Sequence, residues 1–305
     1  MDHILSGKQF ADKKKLDALF KQAAILQEAD QTGVVPKTCQ GKIVATLFFE
    51  TSTRTRLSFE AAAYKLGAQV LSMPNAAATS SVSKGESLTD MIKVVANYCD
   101  AIILRHPENG SAETAASVSS VPIINAGDGY NEHPTQALYD LYTIQKELGQ
   151  IDNLKIAFLA DFRYQRNIHS LVPIFGLFKK LQLFLISPPE LRLPDEYKAQ
   201  LDKSGVSFKE LPDLSGIISD LDVLYVTRVF KERFASEAEY ERLKKTLFID
   251  KSVVNKMKPR SAILHVMPRI FEIDPAVDSD PRAAYFRQAK NGLYVRMAIL
   301  QSVLA

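Results

Sequence analysis

Short, unbroken apolar runs recur along the chain, with helical patterns between them. The runs that predict strands lie at residues 42–49, 69–72, 101–104, 121–124, 155–160, 181–186, 223–226 and 262–264. Strands that are apolar along their whole length are typical of parallel sheets with helices on both faces. We therefore predict an α/β fold of two domains, each a parallel sheet flanked by helices.

Helical patterns complete this prediction. An amphipathic surface helix is predicted over residues 13–29, and a long helix over residues 134–148 joins the two series of strands. Two final helices are predicted over residues 283–290 and 291–304. A length of 305 residues also fits two domains, each large enough to bury its own core.

Charge and cysteine content exclude several classes of protein. The formal charge of +3 is too small and too evenly spread for a nucleic-acid binder, and the two cysteines form no CxxC pattern that would indicate a metal site. The first residues lack the features of a signal peptide. The longest apolar run, residues 171–178, is much shorter than the roughly 20 residues of a spanning helix. We expect a cytoplasmic protein that binds neither nucleic acid nor membrane.

Polar clusters follow six of the predicted strands, at the end of a parallel sheet where ligands bind. They lie at residues 51–56, 105–107, 125–136, 161–169, 227–233 and 265–269. In the first cluster, Ser-Thr-Arg-Thr-Arg precedes a helix, and the unpaired N–H groups of a helix N-terminus favour phosphate. The alternative is a Ser/Thr helix cap with solvated arginines. GxxxxGK[ST] and GxGxxG motifs are absent, so the clusters predict an anion site without a nucleotide-binding fingerprint.

The segment FFETSTRTRLSFE, residues 48–60, resembles the carbamoyl phosphate signature of the aspartate/ornithine transcarbamoylase family. NAGDG at residues 125–129, followed by HPTQ at 133–136, is similar to the second signature of that family. The resemblance covers essentially the whole chain. The region around Arg228 and the loop at residues 80–86 resemble the aspartate branch, and the Ser-Met-Gly and His-Cys-Leu-Pro motifs of the ornithine branch are absent.

The resemblance implies an enzyme of pyrimidine biosynthesis, a transferase without metal or cofactor. It would move the carbamoyl group of carbamoyl phosphate to the amine of L-aspartate, giving N-carbamoyl-L-aspartate and phosphate. It also implies a carbamoyl phosphate-binding domain at residues 1–134 plus 286–305 and an aspartate-binding domain at residues 135–285.

The resemblance further implies which residues act on carbamoyl phosphate. The residues that bind the phosphate and carbamoyl groups would be Ser52, Thr53, Arg54, Thr55, Ser80, Arg105, His133 and Gln136. The carbamoyl oxygen would accept hydrogen bonds from Thr55, Arg105 and His133, and these residues, with Arg54 and Lys84, would be catalytic. A neutral His133 suffices as a donor, because the departing phosphate can take the proton of the amine.

For the acceptor, the resemblance implies binding by Lys84, Arg166, Arg228 and Met267. Two arginines suit a dicarboxylate, because each can form a bidentate pair. The resemblance also implies that the polar loop at residues 79–86 reaches the active site of a neighbouring subunit, so that each site is shared. The unit that it implies is a homotrimer. A regulatory chain is left open as a further partner.

Three residues depart from the family pattern on the acceptor side. Phe230 replaces a glutamine, Val266 a proline and Phe271 an aspartate. Loss of one polar contact to a buried charged ligand costs about 1–3 kcal/mol. The sequence leaves open an enzyme with weaker aspartate binding, a transcarbamoylase with another amine acceptor, and a non-catalytic relative.

Overall fold

The computed structural model describes residues 3–228 and 247–305. The chain divides into two compact units: the first unit is Met1–Tyr139, Arg166–Ile174 and Lys290–Ala305, and the second is Asp140–Gln165 and Phe175–Ala289. Each contains one parallel sheet with helices, which confirms the predicted fold class. The domain limits at residues 134 and 285 stay a prediction.

The first unit is built on a four-stranded parallel sheet of order β2-β1-β3-β4. Its strands are β1 (Ile43–Phe48), β2 (Gln69–Met73), β3 (Ala101–His106) and β4 (Ile123–Asp128). Pairing continues into polar residues, since Phe48 pairs with Arg105 and His106 with Asp128. β3 and β4 therefore extend past their apolar runs, and they carry polar side chains at their carboxyl ends.

Among the described residues, seven helices begin in the first unit. They are α1 (Lys13–Gln31), α2 (Thr53–Lys65), α3 (Ala76–Thr79), α4 (Leu88–Val95), α5 (Ser111–Val118), α6 (Pro134–Leu148) and α7 (Arg166–Phe175), with 3-10 turns at Gly7–Phe10 and Ser81–Lys84. The predicted long helix over residues 134–148 is α6. By the limits above, α6 enters the second unit after Tyr139.

The second unit is built on a five-stranded parallel sheet of order β7-β6-β5-β8-β9. Its strands are β5 (Lys155–Leu159), β6 (Gln182–Ile186), β7 (Ser207–Leu211), β8 (Val223–Val226) and β9 (Ala262–His265). Its other elements are α8 (Asp195–Lys203), α9 (Lys251–Val254), the start of α10 (Tyr285–Leu304), and 3-10 turns at Pro189–Leu191, Ile218–Asp220 and Pro275–Ser279. In the described ranges, no helix has both the length and the hydropathy needed to cross a bilayer.

Each unit has its own apolar core. In the first, side chains such as Leu47, Ile102 and Leu104 pack against α4 and α5. In the second, Leu159, Leu224 and the other strand residues pack against the segments that precede and follow β9. Burying an aliphatic side chain of this size contributes about 1.5–3 kcal/mol, so the sheets provide rigid supports for the polar residues that follow the strands.

Two sequence-based expectations need correction. The two helices expected over residues 283–304 are one continuous helix, α10. Gly292 lies within this helix and does not end it. A Cβ atom at this position would lie 3.1 Å from the ring of Tyr139, so the lack of a side chain allows the helix to pack closely against that ring. Strand β7 was not predicted, because its sequence SFKEL is not an apolar run; it lies at the edge of the sheet and is partly exposed.

Candidate active site

The predicted phosphate loop lies where β1 leads into α2. Ser52 is the N-cap residue, with extended backbone angles, and its side chain makes no capping hydrogen bond. Thr53 and Arg54 are exposed in the first turn, whereas Thr55 is buried. Ser52 therefore occupies the cap position without using its hydroxyl as a cap. The unpaired N–H groups and hydroxyls of this turn form a site that suits phosphate.

The second arginine of this motif has a different role. Arg56 donates to both carboxylate oxygens of Glu60, at 3.0 and 3.2 Å. Glu60 also accepts from Thr46 in β1 and Ser72 in β2. Arg56 thus connects α2 to the sheet, and Arg54 lies at the exposed start of the helix.

Arg105 and Arg166 meet at a single carboxylate. The Nη2 atoms of Arg105 and Arg166 lie 3.1 and 2.9 Å from Oε2 of Glu50. Arg105 also donates to the carbonyl oxygen of Ala126 at 3.4 Å, and Arg166 donates to that of Gly129 at 2.8 Å. Both guanidinium groups are therefore oriented by β4 and the residues that follow it.

The charges around Arg105 oppose one another. Burial lowers its pKa to about 9, the positive charges of Arg166, Arg54 and Arg296 act in the same direction, and Glu50 opposes them. Among the described residues, its Nε atom has no hydrogen-bond partner. A cluster of cations with one carboxylate and a free donor is a site that an anion would stabilise.

His133 lies between β4 and α6 and is buried. Its pKa is well below the ordinary value, because burial and the charges of Arg166, Arg105 and Arg296 disfavour the protonated ring. Its main-chain N–H donates to Oγ of Ser170 at 2.8 Å. The side chain of His133 is thus neutral and lies near the arginine cluster, and within the described ranges its Nδ1 has no hydrogen-bond partner.

Gln136 follows one turn later on α6 and is also buried. Its Oε1 accepts a hydrogen bond from the hydroxyl of Tyr139. The ring of Tyr139 lies 5.0 Å from the guanidinium of Arg296, which also faces Phe59 and donates to Ser58 of α2. These contacts link the orientation of Gln136 to the phosphate loop.

The predicted loop residues Ser80 and Lys84 lie on a separate segment. The hydroxyl of Ser80 donates to the carbonyl oxygen of Ala76 at 2.5 Å. Lys84 ends a 3-10 turn, is exposed, and forms no ion pair in the part of the chain that the structure describes. Both residues lie on the segment between α3 and α4.

The two remaining acceptor residues belong to the second unit. Arg228 follows β8, and its carbonyl oxygen accepts from the side chain of Gln165 at 3.0 Å. Met267 follows β9 with a left-handed φ of 53°, and its N–H donates to Nδ1 of His265 at 2.8 Å. Both residues lie just beyond the carboxyl ends of strands, as the sequence indicates.

The three departures from the family pattern have different positions. Phe271 is partly buried and packs against the apolar core of the second unit. Val266 lies in the loop after β9, between His265 and Met267. Phe230 is in the range 229–246, outside the described residues.

Several residues that organise the site were not predicted from the sequence. Glu50 adjoins the phosphate loop, and a carboxylate among arginines was the signal that could have identified it. Tyr139 and Arg296 gave no local signal, because they meet only after folding. In the described ranges, no group of three His, Cys, Asp or Glu side chains could hold a metal ion.

Comparisons with known proteins match both halves of the chain. Residues 2–146 match the carbamoyl-P binding domain of aspartate/ornithine carbamoyltransferases, and residues 152–303 match the Asp/Orn binding domain. The chain belongs to the aspartate/ornithine carbamoyltransferase family.

Individual members resemble it over their whole length. The aspartate carbamoyltransferase catalytic subunit of Methanocaldococcus jannaschii is 46% identical over 304 residues, covering 100% of this chain and 98% of that protein. A crystal form of the M. jannaschii catalytic subunit superposes with a TM-score of 0.93 at 45% identity, covering 100% of this chain and 98% of that one. The Trypanosoma cruzi enzyme, in complex with carbamoyl phosphate and aspartate, gives a TM-score of 0.93 at 38% identity, covering 100% and 97%. The family predicted from the two sequence signatures is confirmed.

Proposed function

We propose that the protein transfers the carbamoyl group of carbamoyl phosphate to the amine of L-aspartate, forming N-carbamoyl-L-aspartate and phosphate in pyrimidine biosynthesis. The observation that carries the proposal is the cluster of Arg105, Arg166 and a neutral, buried His133 beside the N-terminus of α2. Relatives named as aspartate carbamoyltransferases support the choice of acceptor.

The phosphate group would bind at the start of α2. Main-chain N–H groups and the side chains of Ser52, Thr53, Arg54 and Thr55 supply donors, and Arg105 supplies its guanidinium, with Ser80 as a further ligand. Because Arg105 is buried among other cations, a dianion would restore the local charge balance. Binding would therefore compete with Glu50 for the donors of Arg105.

The reaction requires stabilisation of charge on the carbamoyl oxygen. The amine nitrogen attacks the carbonyl carbon, negative charge develops on the oxygen, and the bond from carbon to the phosphate oxygen then breaks. Thr55, Arg105 and His133 are the proposed donors to that oxygen, and Gln136 would contact the carbamoyl nitrogen. His133 acts as a neutral donor, since its pKa is too low for it to be protonated at neutral pH. The leaving phosphate accepts the proton from the amine.

The acceptor would bind through its two carboxylates. Arg166 and Arg228 are proposed as bidentate partners, Lys84 as a further cation, and the main chain at Met267 as a contact of the amine. Because a monocarboxylate amine would leave one guanidinium without a partner, this arrangement favours aspartate.

An acceptor panel tests the proposal. Purified protein would receive saturating carbamoyl phosphate with L-aspartate, L-ornithine or other amino acids and amines, each separately. We expect turnover with aspartate at least a hundredfold above that with ornithine. Transfer only to another amine would overturn the proposed acceptor, and binding of carbamoyl phosphate without any transfer would favour a non-catalytic relative.

We also propose a cytoplasmic homotrimer in which Lys84 and Ser80 complete the site of a neighbouring subunit. Lys84 is exposed and forms no ion pair within the described ranges, and α2 and the edge strand β2 expose Leu57, Tyr64 and Leu71. Large exposed apolar side chains are typical of subunit interfaces. The proposal leaves room for a regulatory chain, which would add to the mass of the trimer.

Mixing two inactive variants tests shared sites. Arg54→Ala and Lys84→Ala damage different subunits of one site, so dissociating and reassociating them together regenerates some intact sites. We expect activity to reappear in the mixture, at about a quarter of wild type for random trimers, and a trimer by light scattering. Two variants that stay inactive together, or a monomer with full activity, would contradict the proposal.

A further inference from the structure

A line of buried hydrogen bonds in the second unit ends at the main chain of Met267. The hydroxyl of Tyr225 in β8 and the side-chain amide of Gln288 in α10 both donate to the carboxylate of Asp140, the latter at 2.7 Å. Oε1 of Gln288 accepts the main-chain N–H of His265 at 2.9 Å. Nδ1 of His265 then accepts the N–H of Met267 at 2.8 Å.

These polar groups lie in the interior. Asp140 and Tyr225 are 0% exposed, and Gln288 and His265 are 1% exposed. Buried polar groups are costly unless they are hydrogen-bonded, and a carboxylate is the most costly of them. An apolar set of side chains would serve a purely structural core better, so this line of bonds points to a need for precise orientation.

The other end of the same loop is also held. The fully buried carboxylate of Glu272 accepts the N–H groups of Ile270 at 2.7 Å and Phe271 at 3.2 Å. It lies 3.8 Å from Nε2 of His265. The loop at residues 266–271 is therefore fixed at both ends by side chains, and its start is fixed through Gln288.

We infer that Asp140 and Gln288 are positioning residues for the main chain of Val266 and Met267, and so for binding of the acceptor amine. This inference rests on the proposed function, which assigns the acceptor contact to Met267. A main-chain carbonyl has no side-chain rotamer to adjust, so its direction depends on the groups that hold the loop. Asp140 fixes the amide of Gln288, and Gln288 fixes the start of the loop.

The variant Gln288→Leu tests the inference, because it keeps the volume and removes both hydrogen bonds. We expect KM for aspartate to rise tenfold or more, with KM for carbamoyl phosphate within twofold of wild type. Amide hydrogen exchange in peptides spanning residues 264–272 should become at least tenfold faster.

Two further variants separate positioning from general destabilisation. Tyr225→Phe removes one bond to Asp140 but leaves the bond from Gln288 to His265, so we expect a smaller rise in KM for aspartate, twofold to fivefold. Asp222→Asn is the matched control: its carboxylate accepts from Lys155 and Lys258 before β8, away from the loop. It should lower the unfolding temperature without changing KM for aspartate or exchange at residues 264–272.

The outcomes distinguish this inference from the proposed function. If wild-type protein does not carbamoylate aspartate, the proposed function fails, and hydrogen exchange alone still decides whether Gln288 holds the loop. If Gln288→Leu leaves both the exchange and KM for aspartate unchanged, or if Asp222→Asn changes them equally, the inference is overturned. Should Gln288→Leu not fold, Tyr225→Phe decides by the same two measurements.

Discussion

Arg105 and Arg166 share one carboxylate oxygen, Oε2 of Glu50. The two guanidinium groups are close enough that the charge of Arg166 lowers the pKa of Arg105. Glu50 therefore holds together two cations that would otherwise separate. Both remain aligned before a substrate binds, one predicted to act on carbamoyl phosphate and the other on aspartate.

Removing this shared carboxylate should weaken binding of aspartate more than binding of carbamoyl phosphate. In Glu50→Ala, Arg166 keeps its bond to Gly129 but loses its ion pair, so we expect KM for aspartate to rise about tenfold, or about 1.4 kcal/mol. Steady-state kinetics with each substrate varied in turn measures this. Asp220→Asn, which removes an exposed partner of Lys155, is the control and should leave both KM values unchanged. An unchanged KM for aspartate in Glu50→Ala would show that Glu50 does not orient Arg166.

Gly127 should be required both for its backbone conformation and for the space it leaves. Its φ is 117°, and a Cβ atom there would lie 2.9 Å from Cζ of Arg166. We expect Gly127→Ala to displace the guanidinium, raise KM for aspartate about tenfold and cost about 1–3 kcal/mol of stability.

The matched control is Gly41→Ala, because Gly41 also has a positive φ, 82°, but no atom lies within 4 Å of the point where its Cβ atom would stand. It should lose stability without loss of activity. Equal effects of the two substitutions on KM would assign the result to backbone strain alone.

The low pKa of His133 predicts how stability depends on pH. The folded state holds the ring neutral, whereas the unfolded chain takes up a proton near pH 6.5. The contribution of His133 to the free energy of unfolding is therefore fully present above about pH 6.5. It decreases by about 1.4 kcal/mol for each pH unit below that value. Urea unfolding between pH 7.5 and 5 measures the slope.

His133→Asn removes this titration and should flatten the pH dependence by that amount below pH 6.5. A residual slope remains, because burial also lowers the pKa of His106. Parallel curves for the variant and wild type would mean that His133 titrates normally in the folded protein.

Tyr139 should influence the rate of carbamoyl transfer by orienting the side chain of Gln136. Tyr139→Phe keeps the ring against Arg296 but removes the hydroxyl that donates to Gln136. We expect kcat to fall about threefold to tenfold, because one buried hydrogen bond contributes about 0.5–1.5 kcal/mol. The loss of a single bond of this size should change the unfolding temperature little. Stopped assays at saturating substrates give kcat. Tyr142→Phe, on the same helix, serves as a control that should retain activity.

Most of the fold was predictable because the apolar strands are continuous in sequence. The apolar runs that predict β1, β3 and β8 end within a few residues of the observed strands, and α6 matches its predicted limits. β7 escaped prediction because an edge strand does not need to be apolar on both faces. α10 was predicted as two helices, although Gly292 fits within one helix through its packing on Tyr139.

From the sequence, the candidate site could be proposed only where its residues are close together in the chain. The predicted phosphate loop is consecutive in sequence, so Ser52 to Thr55 could be proposed from one segment. Gln288 and Asp140 are 148 residues apart, and their contact depends on tertiary packing that no local pattern encodes. The shared contact of Arg105 and Arg166 with Glu50 was not predicted for the same reason, since it also depends on tertiary packing.

Following one labelled carbon tests the proposed carbamoyl transfer most directly. Carbamoyl phosphate carrying ¹³C would be incubated with L-aspartate and the protein, and the products would be followed by carbon and phosphorus NMR. We expect N-carbamoyl-L-aspartate and phosphate in equal amounts, with no transfer when Arg105→Ala replaces wild type. Phosphate release without carbamoyl-aspartate, or carbamoyl phosphate that binds but is never consumed, would contradict it.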